Sequence, residues 1–205
     1  MKIILVRHAQ TLKNKEGKMQ GHEDSDLTEE GREQVLKIVK RLSHENVSGV
    51  YCSGLGRALK TADKISESHG LKTKIDRRLN ELNWGDFSSA PVKEVILKWS
   101  NYYGEMKKKG VPREEIRPPK GENSFDHAGR VKGFIDELEK KHTNDTVVIV
   151  GHSGTNKVFI GILRGIDPEK FYEIEQDNAC INYIELDEKG NIIKSEINVT
   201  AHLKN

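Results

Sequence analysis

The chain has 205 residues, 35 % of them hydrophobic, and a formal net charge of +2. That is enough for one sizeable core, and it excludes a strongly basic nucleic-acid or membrane-surface binder, since the longest basic block is the short Lys107-Lys108-Lys109. Cys52 and Cys180 lack CxxC spacing, which argues against a disulfide framework or a zinc site, and no apolar run is long enough to span a membrane. The chain enters a strand at once with no signal segment in view, so the expectation is a cytoplasmic protein.

Lys2–Val6 reads as a first strand, an aliphatic run broken by Arg7 and His8. A polar loop follows to Leu27. Thr28 is suited to cap a helix that carries Val35, Leu36, Val39 and Leu42 on one face. Gly49–Cys52 is a second strand, ended by Ser53 and Gly54. The next helix holds Arg57, Thr61, Ala62 and Ile65 and runs to Gly70. Thr73–Ile75 is briefly extended, and Leu79–Pro91 is irregular. Val92–Lys109 reads as a helix with Val95, Ile96, Trp99 and Tyr103 inward, Trp84 and Trp99 being packing residues. Gly110–Glu122 is loop. Ser124 is placed to cap a helix bearing Phe125, Ala128, Val131, Ile135 and Leu138. Thr146–Val150 is a buried strand, broken by Gly151-His152-Ser153-Gly154 before a helix to Leu163. Cys180–Leu186 and Ile192–Val199 read as a hairpin around Asp187–Asn191. Strand and helix alternate, so the fold class is α/β: one domain of three layers, α/β/α, around a mostly parallel sheet. The segment from about Pro91 to Gly121 is a candidate lid, and the hairpin edge is a candidate surface for a homodimer.

Ligands bind outside the carboxyl ends of strands in such sheets. The breaks at those ends supply Arg7, His8 and Asn14, then Ser53 and Arg57, then His152, with Glu81 in the irregular stretch. Two guanidiniums suit an anion, because their planar donor forks match phosphate oxygens. Two histidines and a carboxylate also fit a metal triad, but fixed positive charges beside them repel a divalent cation, so no metal is expected. A neutral histidine next to a phosphate is a competent nucleophile. Preorganised donors would stabilise the transferring phosphoryl group, and an acid must protonate the leaving alkoxide. For Glu81 to hold such a proton near neutral pH, burial or a second carboxylate is expected beside it. His44, His69, His127, His142 and His202 carry the ordinary expectation of structural or exposed histidines, with His22 placed to line the pocket mouth.

These residues fall in ordered motifs: Arg7-His8-Ala9-Gln10-Thr11 with Asn14; Gln20-Gly21, Asp24 and Leu27-Thr28-Glu29-Glu30-Gly31; Tyr51-Cys52-Ser53-Gly54-Leu55-Gly56-Arg57-Ala58 with Thr61-Ala62; Leu79-Asn80-Glu81 with Gly85; Gly121-Glu122-Asn123-Ser124 with Arg130-Val131; and Val148–Gly154. In this order the chain resembles the histidine phosphatase superfamily, the phosphoglycerate mutase-like or RHG family, over nearly its whole length. The resemblance implies that His8 is the phosphorylated nucleophile and that Arg7, Arg57 and His152 bind the phosphoryl group, with Asn14, Gln20, Gly21 and Ser153 beside them. It implies Glu81 as proton donor, no metal, and a small phosphate ester as substrate.

The chain departs from the family pattern at Ala9, Asp26 and Ser89, and the last, with Ser88 and Ala90, leaves the substrate side of the pocket undefined by the resemblance. Family mutases carry a Trp where this chain has Lys13, a Tyr where it has Trp84, and an adjacent arginine pair where Arg113 and Arg117 stand apart. A phosphatase is therefore the leading expectation. The alternatives are a phosphoglycerate mutase primed by 2,3-bisphosphoglycerate and an inactive phosphate-binding module, the latter opposed by the full set Arg7, His8, Arg57, Glu81 and His152.

Overall fold

The computed structural model describes residues 1–204. Strands β1 (Lys2–Arg7), β2 (Val47–Cys52), β3 (Thr73–Ile75), β4 (Thr146–Gly151), β5 (Ile181–Leu186) and β6 (Ile192–Val199) form one sheet in the order β3-β2-β4-β1-β5-β6. The pairs among β3, β2, β4 and β1 are parallel, and β5 and β6 complete the sheet antiparallel. Helices α1 (Leu12–Lys15), α2 (Glu29–Leu42), α3 (Gly56–Ser68), α4 (Val92–Lys108), α5 (Ser124–Lys141) and α6 (Ser153–Leu163) complete the chain. None of them is long and apolar enough to cross a membrane.

Alternation along β1 sets the layers. Ile3 and Leu5 pack with Phe134 and Ile135 of α5 and Phe159 of α6. Ile4 and Val6 pack with Ile38 and Leu42 of α2 and with Ala58, Ala62 and Ile65 of α3. A strand covered on both faces cannot alternate with polar residues, so β1 and β4 are continuous apolar runs. Each Ile or Leu buried this way stabilises the fold by about 1.5–3 kcal/mol over leaving it in water. Cys52 and Cys180 are buried free thiols in the same core, and burial pushes the Cys52 thiol up to about 12.

Several local expectations need correction. Leu36 is 65 % exposed, and Ile38 takes its place in the core. Val35, Ile38 and Leu42 follow the helical repeat, while Leu36 lies off that stripe. Ile96 is likewise exposed, and Val95 alone of α4 is fully covered. The cap of α5 is Asn123, not Ser124: its side chain accepts from Asp126 N, and Asp126 Oδ2 accepts in turn from Asn123 N. That shift turns Phe125 outward, where the Arg113 guanidinium lies over its ring. The polar loop after β1 also contains α1, capped by Thr11.

Residues Pro91–Gly121 comprise α4 and the loop behind it. Their entry is stitched to the loop after α1, with Met19 N donating to Ala90 O (2.9 Å) and Val92 N to Gly17 O (2.9 Å). Trp84 meets Trp99 edge-on, and Trp99 stacks on Tyr102, so both tryptophans are packing residues joining α4 to the stretch after Glu81.

Candidate active site

Register builds the site before any side chain is placed. Arg7 pairs with Gly151 across β1 and β4, and Cys52 with Val150 across β2 and β4. The chain therefore leaves the three strands side by side at His8, His152 and Ser53. His8 N donates to Gly151 O (3.0 Å), Ser53 N donates to Val150 O (3.1 Å), and the His8 and His152 rings stand 5.2 Å apart.

His8 is buried, and its Nδ1 lies 2.8 Å from the Ala9 carbonyl oxygen. A carbonyl only accepts, so Nδ1 carries the proton and Nε2 presents its lone pair. Burial first, then the charges of Arg57 and Arg7, hold His8 well below the usual histidine range, against the opposing Ala9 contact. The ring is neutral at pH 7. His152 is also fully buried, held well below the usual range by burial and then by Arg57, and neither ring nitrogen has a protein partner. Buried polar atoms are normally satisfied, so this pair marks a binding surface.

Arg57 is the largest side chain in full burial, at 1 % exposure. It donates to the Gly21 carbonyl (2.8 Å), the Glu23 carbonyl (2.8 Å) and Asp24 Oδ1 (3.2 Å). Asp24 also accepts from the backbone N–H groups of Gly56 and Arg57, so it caps α3, whose own N-cap Leu55 offers no side chain. Arg7 donates to the Gln176 carbonyl at 2.6 Å. The Nε atoms of both arginines are buried without a partner. Gly21 takes a positive φ of 53° and serves through its backbone. Asn14 Oδ1 accepts from Thr11 N (3.2 Å), Thr11 Oγ1 (3.0 Å) and Asn178 Nδ2 (3.0 Å), which leaves its amide N–H donors for a ligand. Gln20 Oε1 lies 3.2 Å from the same Thr11 hydroxyl, whose single proton serves one of the two acceptors at a time, and Ser153 begins α6 directly after His152.

Glu81 reaches the amino end of α6. Its Oε2 accepts from Gly154 N (3.0 Å), and its Oε1 from Thr155 N (3.1 Å) and Leu82 N (2.9 Å). The expected deep burial or neighbouring carboxylate is replaced by these N–H donors, because α6 lacks a side-chain cap of its own and the acid supplies one. A Cβ on Gly154 would stand 2.5 Å from Glu81 Oε1, which explains the glycine. Arg130 fixes the segment from behind, donating to the carbonyls of Arg78, Asn80 and Glu81 while paired with Glu122. His22 Nε2 lies 2.8 Å from the Glu81 carbonyl oxygen.

Sequence reasoning left His127 among the structural or exposed histidines and passed over Gln176 and Asn178. His127 is fully buried with Nε2 3.0 Å from Thr155 Oγ1, behind the residue that holds Glu81. A polar residue in the first turn of a helix next to the Asn123 cap carries no periodic signal. Gln176 and Asn178 belong to a polar run just before β5, the same kind of break that marked the other strand ends.

Two arginines, two neutral histidines and one carboxylate thus meet at one sheet edge, as the sequence motifs anticipated, and a family model of the histidine phosphatase superfamily (branch 1) matches residues 3–198. The chain belongs to that superfamily. Phosphoserine phosphatase 1 of Hydrogenobacter thermophilus is 34 % identical over 203 residues, covering 99 % of this chain and 94 % of that one. A probable phosphoglycerate mutase GpmB of Yersinia enterocolitica is 26 % identical, covering 99 % and 95 %. The phosphoserine phosphatase of Entamoeba histolytica, solved in complex with 3-phosphoglyceric acid, superposes with a TM-score of 0.82 at 25 % identity, covering 98 % of each chain. Relatives of this histidine phosphatase are phosphatases and phosphoglycerate mutases, and the chain is an enzyme of that type.

Proposed function

We propose that the chain is a metal-independent phosphomonoesterase acting on a small phosphorylated metabolite through a phosphohistidine on His8. The observation that carries this is the neutral, Nδ1-anchored His8 facing the unpartnered nitrogens of His152 and the Nε atoms of Arg7 and Arg57. His8 Nε2 attacks phosphorus and forms the N–P bond as the ester P–O bond breaks. Arg7, Arg57, His152 and the Asn14 amide hold the phosphoryl oxygens as charge spreads over them. Glu81 passes a proton to the leaving alkoxide. A phosphate monoester, with a second pKa of about 6, can bring that proton into the site as its monoanion. Water then attacks the phosphohistidine, Glu81 takes its proton, and inorganic phosphate leaves. No cofactor enters the cycle. Residues 91–121 act as a lid over the substrate.

Lys13 and the separated Arg113 and Arg117 favour hydrolysis over mutase chemistry, as does the 34 % identity to a phosphoserine phosphatase against 26 % to a probable mutase. The test is incubation in EDTA with phosphoserine or 3-phosphoglycerate, with and without 2,3-bisphosphoglycerate, following phosphate and 2-phosphoglycerate together. Phosphate without isomer is expected. Isomer formed faster than phosphate, and only after priming, would make the enzyme a mutase. Activity lost in EDTA and restored by a metal would return the metal triad.

A further inference from the structure

The turn before β5 reaches three residues of the site. The Gln176 carbonyl accepts from Arg7 Nη1 (2.6 Å), Asn178 Nδ2 donates to Asn14 Oδ1 (3.0 Å), and Ala179 N donates to the His8 carbonyl (3.2 Å). Ala179 is fully buried at a φ of 59°, a left-handed conformation that alanine adopts only when its surroundings enforce it. Two residues from the end of β6 onward do the enforcing. Asn198 has its own left-handed φ of 56°, which asparagine tolerates. Its Oδ1 accepts from Asp177 N (2.8 Å), and its Nδ2 donates to Asp177 Oδ2 (3.0 Å). His202, in the turn Ala201–Leu203, lies with Nε2 3.1 Å from the Ala179 carbonyl oxygen. That turn is anchored from behind: Leu203 packs against the core that includes Ile38 and Leu42 of α2, and its carbonyl accepts from Lys37 Nζ (2.9 Å).

A carbonyl only accepts, so Nε2 of His202 carries the proton. Burial holds the ring below the usual histidine range, the Ala179 bond opposing it and the charges of Arg41 and Lys37 adding to it. The other nitrogen, Nδ1, is buried with no partner. A side chain kept for packing alone would leave no bare nitrogen in the interior, so the imidazole serves through Nε2. Ala179 is thus held at its N–H by the His8 carbonyl and at its C=O by His202. Releasing the C=O lets φ relax toward negative values, which swings Asn178 away from Asn14 and the His8 backbone. Resting on the phosphohistidine reading, we infer that His202 is a positioning residue for the phosphoryl site, setting Asn178 against Asn14 and His8 through Ala179.

The test follows p-nitrophenyl phosphate turnover and the calorimetric binding of inorganic phosphate. His202→Gln places an amide N–H where Nε2 stands and keeps phosphate affinity within about twofold of wild type. His202→Asn is too short to reach Ala179, and His202→Leu has no donor. Both weaken phosphate binding and raise KM by about 2- to 12-fold, the range of one neutral hydrogen bond. A merely structural role would lower the amount of active enzyme and leave phosphate affinity alone. In an Asn178→Ala background, His202→Asn has little further effect, because the residue it acts through is gone. Equal affinities of the Gln and Asn variants, or full additivity with Asn178→Ala, would overturn the assignment, and that comparison stands even where His202→Leu does not fold. A wild type that binds phosphate but cleaves no ester sinks the phosphatase reading, while the binding series still decides the role of His202. A wild type that binds no phosphate ends both.

Discussion

Glu81 carries more duties than its place in an irregular stretch suggests: it caps α6 through Gly154 and Thr155 and stands ready at the leaving group. Glu81→Gln keeps the side-chain size but removes the transferable proton, and its amide nitrogen cannot accept from the backbone N–H groups that now meet both carboxylate oxygens. It should slow alkyl phosphates about 100-fold and p-nitrophenyl phosphate far less, since a good leaving group needs little acid help. His127→Val should give a weaker version of the same split, because the imidazole sets the Thr155 hydroxyl behind the acid. Equal slowing of both esters would remove Glu81 from the acid role. His8, His152, Arg7 and Arg57 were legible in the sequence because each follows a run that could only be a buried strand or opens the helix after one. His127 was not, since its importance comes from α5 packing on α6, a contact no local pattern announces.

At the scale of elements, the loop after α1 and the start of α3 are one construction. Asp24 caps α3 and pairs with Arg57, while Gly21 and Glu23 lend their carbonyls to the same guanidinium. Asp24→Ala should cost about 1–2 kcal/mol in urea unfolding, the usual worth of a helix cap, and should raise KM by loosening Arg57. Unchanged unfolding and KM would show that the carbonyls alone suffice. Strands and helices were read from the sequence close to their observed bounds because both faces of the sheet demand apolar residues. The errors at Leu36, Ile96 and Ser124 sit where a single residue decides which way a helix turns. The structure resolves that by packing and by the Asn123 cap.

Across the whole molecule, the buried histidines couple the site to stability. Burial holds His8, His127 and His152 well below the usual range in the folded chain. In the unfolded chain each takes up a proton near pH 6.5. The unfolded state therefore binds more protons below that pH, and stability is lost as pH falls from about 6.5, by up to about 1.4 kcal/mol per unit for each histidine. Glu23 and Asp145, held below the usual carboxylate range chiefly by Lys13 and His142, and Asp76, where burial is the largest single effect and raises it but the several Arg78 contacts together outweigh burial, add the same trend only under about pH 4. Urea midpoints at pH 5 and pH 7 check this: a lower midpoint at pH 5 is expected, and equal midpoints would mean the histidines are not neutral in the fold.

The account rests on a covalent phosphohistidine at His8. Rapid acid-free quenching of wild type, Glu81→Gln and His8→Ala with 32P-labelled phosphoserine or p-nitrophenyl phosphate measures it directly. Wild type should show acid-labile, base-stable label at the rate of turnover, Glu81→Gln should accumulate it from p-nitrophenyl phosphate, whose leaving group needs little acid help while dephosphorylation slows, and His8→Ala should show neither label nor turnover. Label or turnover persisting in His8→Ala would contradict the mechanism.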